Sequence, residues 1–170
     1  MIRELAPIGL IPAAWIVTFA TLIYPKLDVL WVQYMHYFMF LFLVGFTVLS
    51  WKEMEDDPVL DIWRKVIGAG VLFTGLGAIS FTFSSYSQIL GFGSLAYWFL
   101  APGIALHYSA RHMNEYSSLY KELGAASFIV FLIFLSGIYF EAIYLKVLGL
   151  AGIAVAQTTS IVIASKMDRG

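Results

Sequence analysis

Residues 29–51 read VLWVQYMHYFMFLFLVGFTVLSW and carry no formal charge. A hydrocarbon core ~30 Å thick is crossed by about 20 apolar residues in a helix that rises 1.5 Å per residue, so this stretch is long enough to span a bilayer once. It also contains His36, the only histidine set deep among apolar residues, whose neighbours include Tyr34, Tyr37 and Phe38. An ionisable side chain at that depth is a functional-site hypothesis, because leaving it unpaired in lipid costs several kcal/mol.

The composition extends the membrane assignment to the whole chain of 170 residues. Hydrophobic residues make up 61% and charged residues 12% of it, and its mean hydropathy is +0.83, whereas soluble domains are about 45–50% apolar and about 25% charged. Ten basic and eleven acidic residues nearly cancel, so no positive field would attract nucleic acid. The chain has no cysteine, which excludes disulfides, thiolate nucleophiles and iron–sulfur sites. We predict an all-α polytopic membrane protein whose first partner is the lipid bilayer.

Six transmembrane spans follow from the lengths of the uncharged runs. One run, from Val66 up to Arg111, is more than twice as long as a single span, and its middle holds the polar or Gly-rich segments FTFSSYSQ and GFGS, which are able to turn the chain. Splitting the run there predicts a compact six-helix bundle that forms one domain over residues 1–170. The predicted spans are 5–24, 29–51, 62–83, 90–110, 122–140 and 144–165.

The distribution of basic residues predicts the orientation of the bundle. Six spans place both termini and the second and fourth connections on one side of the membrane. The basic residues on that side are Arg3, Lys52, Arg64, Lys65, Arg111, Lys121, Lys166 and Arg169, and those on the other side are Lys26 and Lys146. Because cytoplasmic segments of membrane proteins are enriched in Lys and Arg, we predict a multi-pass protein of the cell membrane with both termini in the cytoplasm.

Polar groups at mid-membrane mark candidate binding positions. Pro102 and Gly103 interrupt the predicted fourth span, and the backbone carbonyls that they free either line a cavity or are satisfied by neighbouring helices. Gln157 lies in the middle of the sixth span, where a polar side chain faces the bundle and bonds either a ligand or another helix. We predict that Gln157, Tyr37 and Trp98 contribute to substrate binding.

A first functional hypothesis is that the protein is not an enzyme and binds a cofactor or a small hydrophobic molecule inside the helix bundle, with haem b, for electron transfer or sensing, as the preferred candidate. His36, His107 or both would be the axial ligands, and aromatic residues, 17% of the chain, would form the pocket walls. By helical rise, His36 lies roughly 10 Å from the outer end of its span and His107 at least ~20 Å from the outer end of its own. Ligation by both would therefore require a strongly tilted haem or a shifted fourth helix.

Histidines in the second and fourth of six helices resemble the cytochrome b561 family. The resemblance would imply a haem-binding electron-transfer bundle. That family, however, has two ligand pairs at matched depths, whereas His36 and His107 form at most one mismatched pair. Membership is therefore not inferred.

Two further hypotheses come from other classes of protein. Six helices in about 170 residues resemble in size the substrate-binding components of vitamin importers, which would make the chain a small-solute binding or transport component, although no motif of those components is present. Alternatively, the chain is an accessory or scaffold subunit that binds partner subunits in a membrane complex. An enzyme is the least favoured class, because no hydrolase or metalloprotease motif is present. No metal site is assigned.

Overall fold

The computed structural model describes residues 2–24 and 26–167, with side chains described except at 2–8, 84 and 167. Within these residues the chain is all-helical and contains no strand. The helices are α1 (Ile2–Ile23), α2 (Val29–Ser50), α3 (Pro58–Ser80), α4 (Ser87–Ser109), α5 (Ser117–Tyr139) and α6 (Ile143–Met167), with a short 3₁₀ turn at Ser84–Tyr86. The predicted fold class is confirmed, and each predicted span corresponds to one helix.

Two of the helix starts show why the boundaries lie where they do. Asp28 precedes α2 and its Oδ1 accepts a hydrogen bond from the Leu30 amide at 2.9 Å. Asp57 precedes α3 and its Oδ1 accepts from the amides of Val59 and Leu60. Aspartate is a favoured N-cap because it satisfies amides that have no helical acceptor. Pro58 follows at the first helical position, where its missing N–H is not needed.

The connection between α3 and α4 has the predicted length but lies three residues earlier, at 81–86 instead of 84–89. FTFSSY forms the connection at residues 81–86, and the GFGS segment at 91–94 lies inside α4, within the predicted span 90–110, so GFGS itself does not turn the chain. The reason is packing between the two helices. A Cβ atom on Gly91 would be 3.6 Å from Ser80 Oγ, and one on Gly77 would be 2.7 Å from Ser94 Oγ. The small residues therefore permit close approach of α3 and α4.

The helices follow one another around the bundle, and each packs mainly on its neighbours in sequence from α2 to α6. The exception is α1, which packs on α6 and touches α2 very little, although α1 and α2 are consecutive. Trp15 of α1 belongs to the main core cluster, where its ring meets Phe99 edge-on at 5.6 Å. The other buried members of that cluster are Phe134, Leu150 and Ile153.

The surface of the bundle is apolar along the helices. Five helices, α2 to α6, are long and apolar enough to cross a membrane, and α1 is apolar over its described part, Gly9–Ile23. Large apolar side chains on the outside include Ile16, Leu72, Ile89, Leu132 and Val155. Such a surface is stable only in an apolar solvent, as in an integral membrane protein.

Alternating helix directions define two ends of the bundle. The turn end carries the connections 24–28, 81–86 and 140–142, and the loop end carries the connections 51–57 and 110–116. Described basic residues at the loop end are Lys52, Arg64, Lys65, Arg111, Lys121 and Lys166, and those at the turn end are Lys26 and Lys146. Arg169 and the Arg3 side chain lie outside the described part. The loop end would be cytoplasmic under the predicted orientation, which stays a prediction.

Candidate functional site

Gln157 joins three helices through its side-chain amide. Its Oε1 accepts a hydrogen bond from Trp15 Nε1 of α1 at 2.9 Å, and its Nε2 donates to the Trp98 carbonyl of α4 at 2.6 Å. The residue is only 3% exposed. The structure thus favours the second of the two roles that the sequence left open for Gln157, a hydrogen bond to another helix.

The acceptor on α4 is the carbonyl that Pro102 leaves without a helical donor. In an α-helix the N–H of residue 102 would bond the carbonyl of residue 98, and proline has no N–H. Gln157 supplies the missing donor from α6. As a result α4 runs unbroken from Ser87 to Ser109 with Pro102 inside it. The carbonyl is therefore satisfied by a neighbouring helix.

Trp98 is also engaged in helix packing. Its Nε1 donates to Thr74 Oγ1 of α3 at 3.0 Å, and its ring covers Gly70, where a Cβ atom would lie 2.7 Å from the ring. The structure therefore brings together two of the three residues predicted to bind substrate, Gln157 and Trp98, as partners of each other. Their contact with a substrate stays a prediction.

The third such residue, Tyr37, lies at the outside of α2 toward the turn end. Its hydroxyl is 2.9 Å from Gln33 Nε2 and 3.5 Å from Thr82 Oγ1. The group links α2 to the residues that follow α3. It is remote in sequence and in packing from the Gln157 network, which joins α1, α4 and α6.

His36 is half-buried between α2 and α3. Its Nδ1 is 2.9 Å from the Val32 carbonyl, and because a carbonyl can only accept, Nδ1 carries the proton and Nε2 has the lone pair. The ring meets Phe81 edge-on at 4.9 Å. His112 makes the same type of bond to the Tyr108 carbonyl while exposed, so this bond does not by itself identify a cofactor ligand.

The structure does not bring His36 and His107 together. His36 packs beside Gly77 of α3, and the same glycine faces Ser94 of α4. His107 lies in the last turn of α4 with an exposed side chain, 13 residues after Ser94, which corresponds to about 20 Å along the helix. Its amide packs near Gly124 of α5. Haem ligation by either histidine alone stays a prediction.

A cleft between α1 and α2 is the candidate binding site. It has a volume of about 410 Å³ and arises because α1 packs on α6 while α2 packs on α3. The lining is apolar except at one end. Its residues are Val17 and Ala20 of α1, Leu27 and Asp28 of the connection, and Trp31, Val32 and Met35 of α2. We refer to these seven residues as the α1–α2 cleft.

The polar end of the α1–α2 cleft is at the turn end of the bundle. Asp28 uses Oδ1 to cap α2, and its Oδ2 makes no hydrogen bond or ion pair with the part of the chain that the structure describes. Trp31 follows one helical turn later and is 64% exposed. Lys26, in the same connection, is exposed and makes no described ion pair with Asp28. A carboxylate oxygen and an indole ring are therefore available to a ligand.

A second small gap, at the loop end, is unsuited to a ligand. The Arg64 guanidinium pairs with Glu55 at 3.3 Å and with Asp61 at 2.6 Å, and it lies 4.8 Å from the centre of the Trp51 ring. Arg64 Nε and Thr47 Oγ1 are buried without a partner among the described residues. Both residues line a gap that has no space for a water molecule. The positive charge of Arg64 is therefore already neutralised by Glu55 and Asp61.

Across residues 2–24 and 26–167 no group of three or more His, Asp or Glu side chains is arranged to hold a metal ion. No family model, curated protein or solved structure matches the chain.

Sequence patterns did not indicate the α1–α2 cleft. The available signal was a carboxylate and a tryptophan, Asp28 and Trp31, one turn apart at the start of the second span.

Proposed function

We propose that this membrane protein binds a lipophilic small molecule in the α1–α2 cleft. The observation that carries the proposal is the apolar cleft of about 410 Å³ between two consecutive helices that barely touch. Small-molecule sites in proteins are commonly apolar clefts of about 300–1,000 Å³ with a few polar groups. The α1–α2 cleft fits both parts of that description.

The packing of the bundle supports this location over its interior. Apolar side chains fill the centre around Phe99 and Ile153, both 0% exposed, and the amide of Gln157 is bonded to Trp15 and Trp98. By contrast, the walls of the α1–α2 cleft belong to helices that carry exposed apolar side chains, such as Ile16 of α1 at 69% exposure and Leu41 of α2 at 65%. A lipophilic molecule would reach the cleft directly from the bilayer.

Filling the cleft tests the proposal. Ala20→Phe places a ring in the cleft, and Leu72→Phe is the control, because Leu72 lies on the outer surface of α3 and is 69% exposed. The probe is hexadecan-1-ol, titrated against purified protein while Tm is measured. A ligand that binds only the native state raises Tm. We expect a saturable rise for the wild-type protein and for Leu72→Phe, and none for Ala20→Phe. An equal response of all three proteins would refute the proposal.

A further inference from the structure

We infer that the preferred ligand of the α1–α2 cleft is a lipophilic cation, a single hydrocarbon chain that carries an organic ammonium group. The inference rests on the proposed function and adds the chemical class of the ligand. Asp28 and Trp31 would hold the head group, and the apolar remainder of the cleft would hold the chain.

The two residues are arranged for one head group. Both line the cleft: Asp28 is the N-cap of α2 and Trp31 lies in its first turn, so their side chains border the same end of the cleft. A carboxylate attracts an ammonium group by charge. An indole face attracts it through the ring quadrupole, which is the basis of quaternary ammonium recognition by aromatic residues.

The N-cap hydrogen bond of Asp28 uses one of its two carboxylate oxygens and leaves the other available to a ligand. Asp28 Oδ1 accepts a hydrogen bond from the Leu30 amide. This bond fixes the side chain in place, and the carboxylate keeps its negative charge. The nearest cation in sequence is Lys26, which is exposed and forms no described ion pair with Asp28. An anionic head group would meet the carboxylate at the mouth of the cleft and is therefore disfavoured.

The length of the α1–α2 cleft along α2 suits an extended hydrocarbon chain. The cleft follows α2 from Asp28 to Met35, seven residues that correspond to about 10 Å along the helix. Asp28 is exposed at the turn end, and Val32 and Met35 lie deeper in the span. A ligand whose head stays at the membrane surface and whose chain descends along α2 matches this polarity.

Three probes with the same 16-carbon chain test the inference: hexadecyltrimethylammonium, hexadecan-1-ol and hexadecyl sulfate. Their apparent Kd values are measured with the protein in lipid nanodiscs. We expect the cation to bind roughly fivefold more tightly than the alcohol, as a partly exposed ion pair with a cation–π contact implies, and the sulfate to bind more weakly than either.

Asp28→Asn isolates the charge, because asparagine is as good an N-cap as aspartate. This variant should remove the advantage of the cation and leave the affinity for the alcohol unchanged. Trp31→Leu should weaken cation binding roughly twofold to fivefold. Asp57→Asn is the control, since Asp57 caps α3 at the other end of the bundle, and it should change neither affinity.

The possible failures are distinguishable. If Asp28→Asn leaves cation binding unchanged while Ala20→Phe blocks all probes, the inference is wrong and the cleft remains the binding site. If Asp57→Asn lowers cation binding as much as Asp28→Asn does, the effect is a general surface charge effect and the inference is again wrong. If Ala20→Phe blocks no probe, the proposed function fails and the inference fails with it.

Discussion

The amide of Gln157 donates to the backbone carbonyl of Trp98 across 2.6 Å, and that carbonyl lies four residues before Pro102. A proline in the middle of a helix usually removes one hydrogen bond and bends the helix. Here a side chain from α6 replaces the missing donor. We therefore expect substitutions at residues 157 and 102 to have coupled effects on stability.

Gln157→Leu should destabilise the protein by about 1–3 kcal/mol, because the Trp98 carbonyl and the Trp15 indole N–H lose their partner in a buried region. The measurement is the free energy of unfolding in mixed micelles. A change smaller than ~0.5 kcal/mol would contradict the assigned role.

Pro102→Ala should partly rescue Gln157→Leu, because alanine restores a helical N–H for the Trp98 carbonyl. A double-mutant cycle measures this coupling. We expect the double variant to be more stable than the sum of the single effects predicts, by about 1 kcal/mol. Strictly additive effects would show that the two positions act independently.

Gly149→Ala should destabilise the α5–α6 pair by about 1–3 kcal/mol. A Cβ atom on Gly149 would be 2.9 Å from the Phe134 Cα and 2.9 Å from the Val130 carbonyl oxygen, and neither backbone atom is free to move aside. Gly45→Ala is the control, because a Cβ atom there meets nothing within 4 Å. The free energy of unfolding of Gly45→Ala should stay within ~1 kcal/mol of the wild-type value. Equal effects of the two substitutions in unfolding experiments would contradict this account.

Glu141→Gly should raise stability by about 1 kcal/mol. Glu141 has a φ of 53°, a left-handed conformation that disfavours residues with a Cβ atom. It ends α5 in a Schellman motif, in which the Ala142 amide bonds the Gly137 carbonyl at 2.9 Å, and glycine is the preferred residue at this position. Glu141→Ala keeps the strain and should leave Tm nearly unchanged. A lower Tm for Glu141→Gly would argue against strain at this residue.

The haem prediction can be tested by spectroscopy. If haem b binds through His36, the Soret band of the reconstituted protein should vanish in His36→Ala and persist in His107→Ala, because the two histidines are about 20 Å apart along the bundle. Loss of the band in both variants would require the two residues to approach each other. If the wild-type protein shows no saturable Soret band when haem is added, the haem hypothesis is wrong.

The sequence was sufficient to predict the helices, because each span contains a long uncharged stretch and two helices begin at capping aspartates, Asp28 and Asp57. It placed the α3–α4 connection three residues late, at 84–89 instead of 81–86, and it did not show which polar segment turns the chain. Glycine and serine at 91–94 have the composition of a turn, yet they serve close packing against Gly77 and Ser80. Composition does not distinguish a residue that breaks a helix from one that lets two helices approach.

The candidate site depends on which helices are neighbours, and the sequence carries little information on that. Hydropathy assigns α1 and α2 to the membrane but does not reveal that Trp15 bonds Gln157, 142 residues away. Both roles left open for Gln157 were physically reasonable, because a buried amide can bond a ligand as well as a carbonyl. Only the tertiary arrangement shows that Pro102 places the unpaired carbonyl within its reach.

The placement of α1 against α6 has a consequence for biogenesis. During synthesis the first helix enters the membrane long before the last one exists, so its principal neighbour is missing for most of translation. Until then α1 has only its short connection to α2 and its few contacts with that helix. Closure of the bundle is therefore a late event, and ribosome-bound chains that stop before residue 143 should expose α1 to chaperones or to proteolysis.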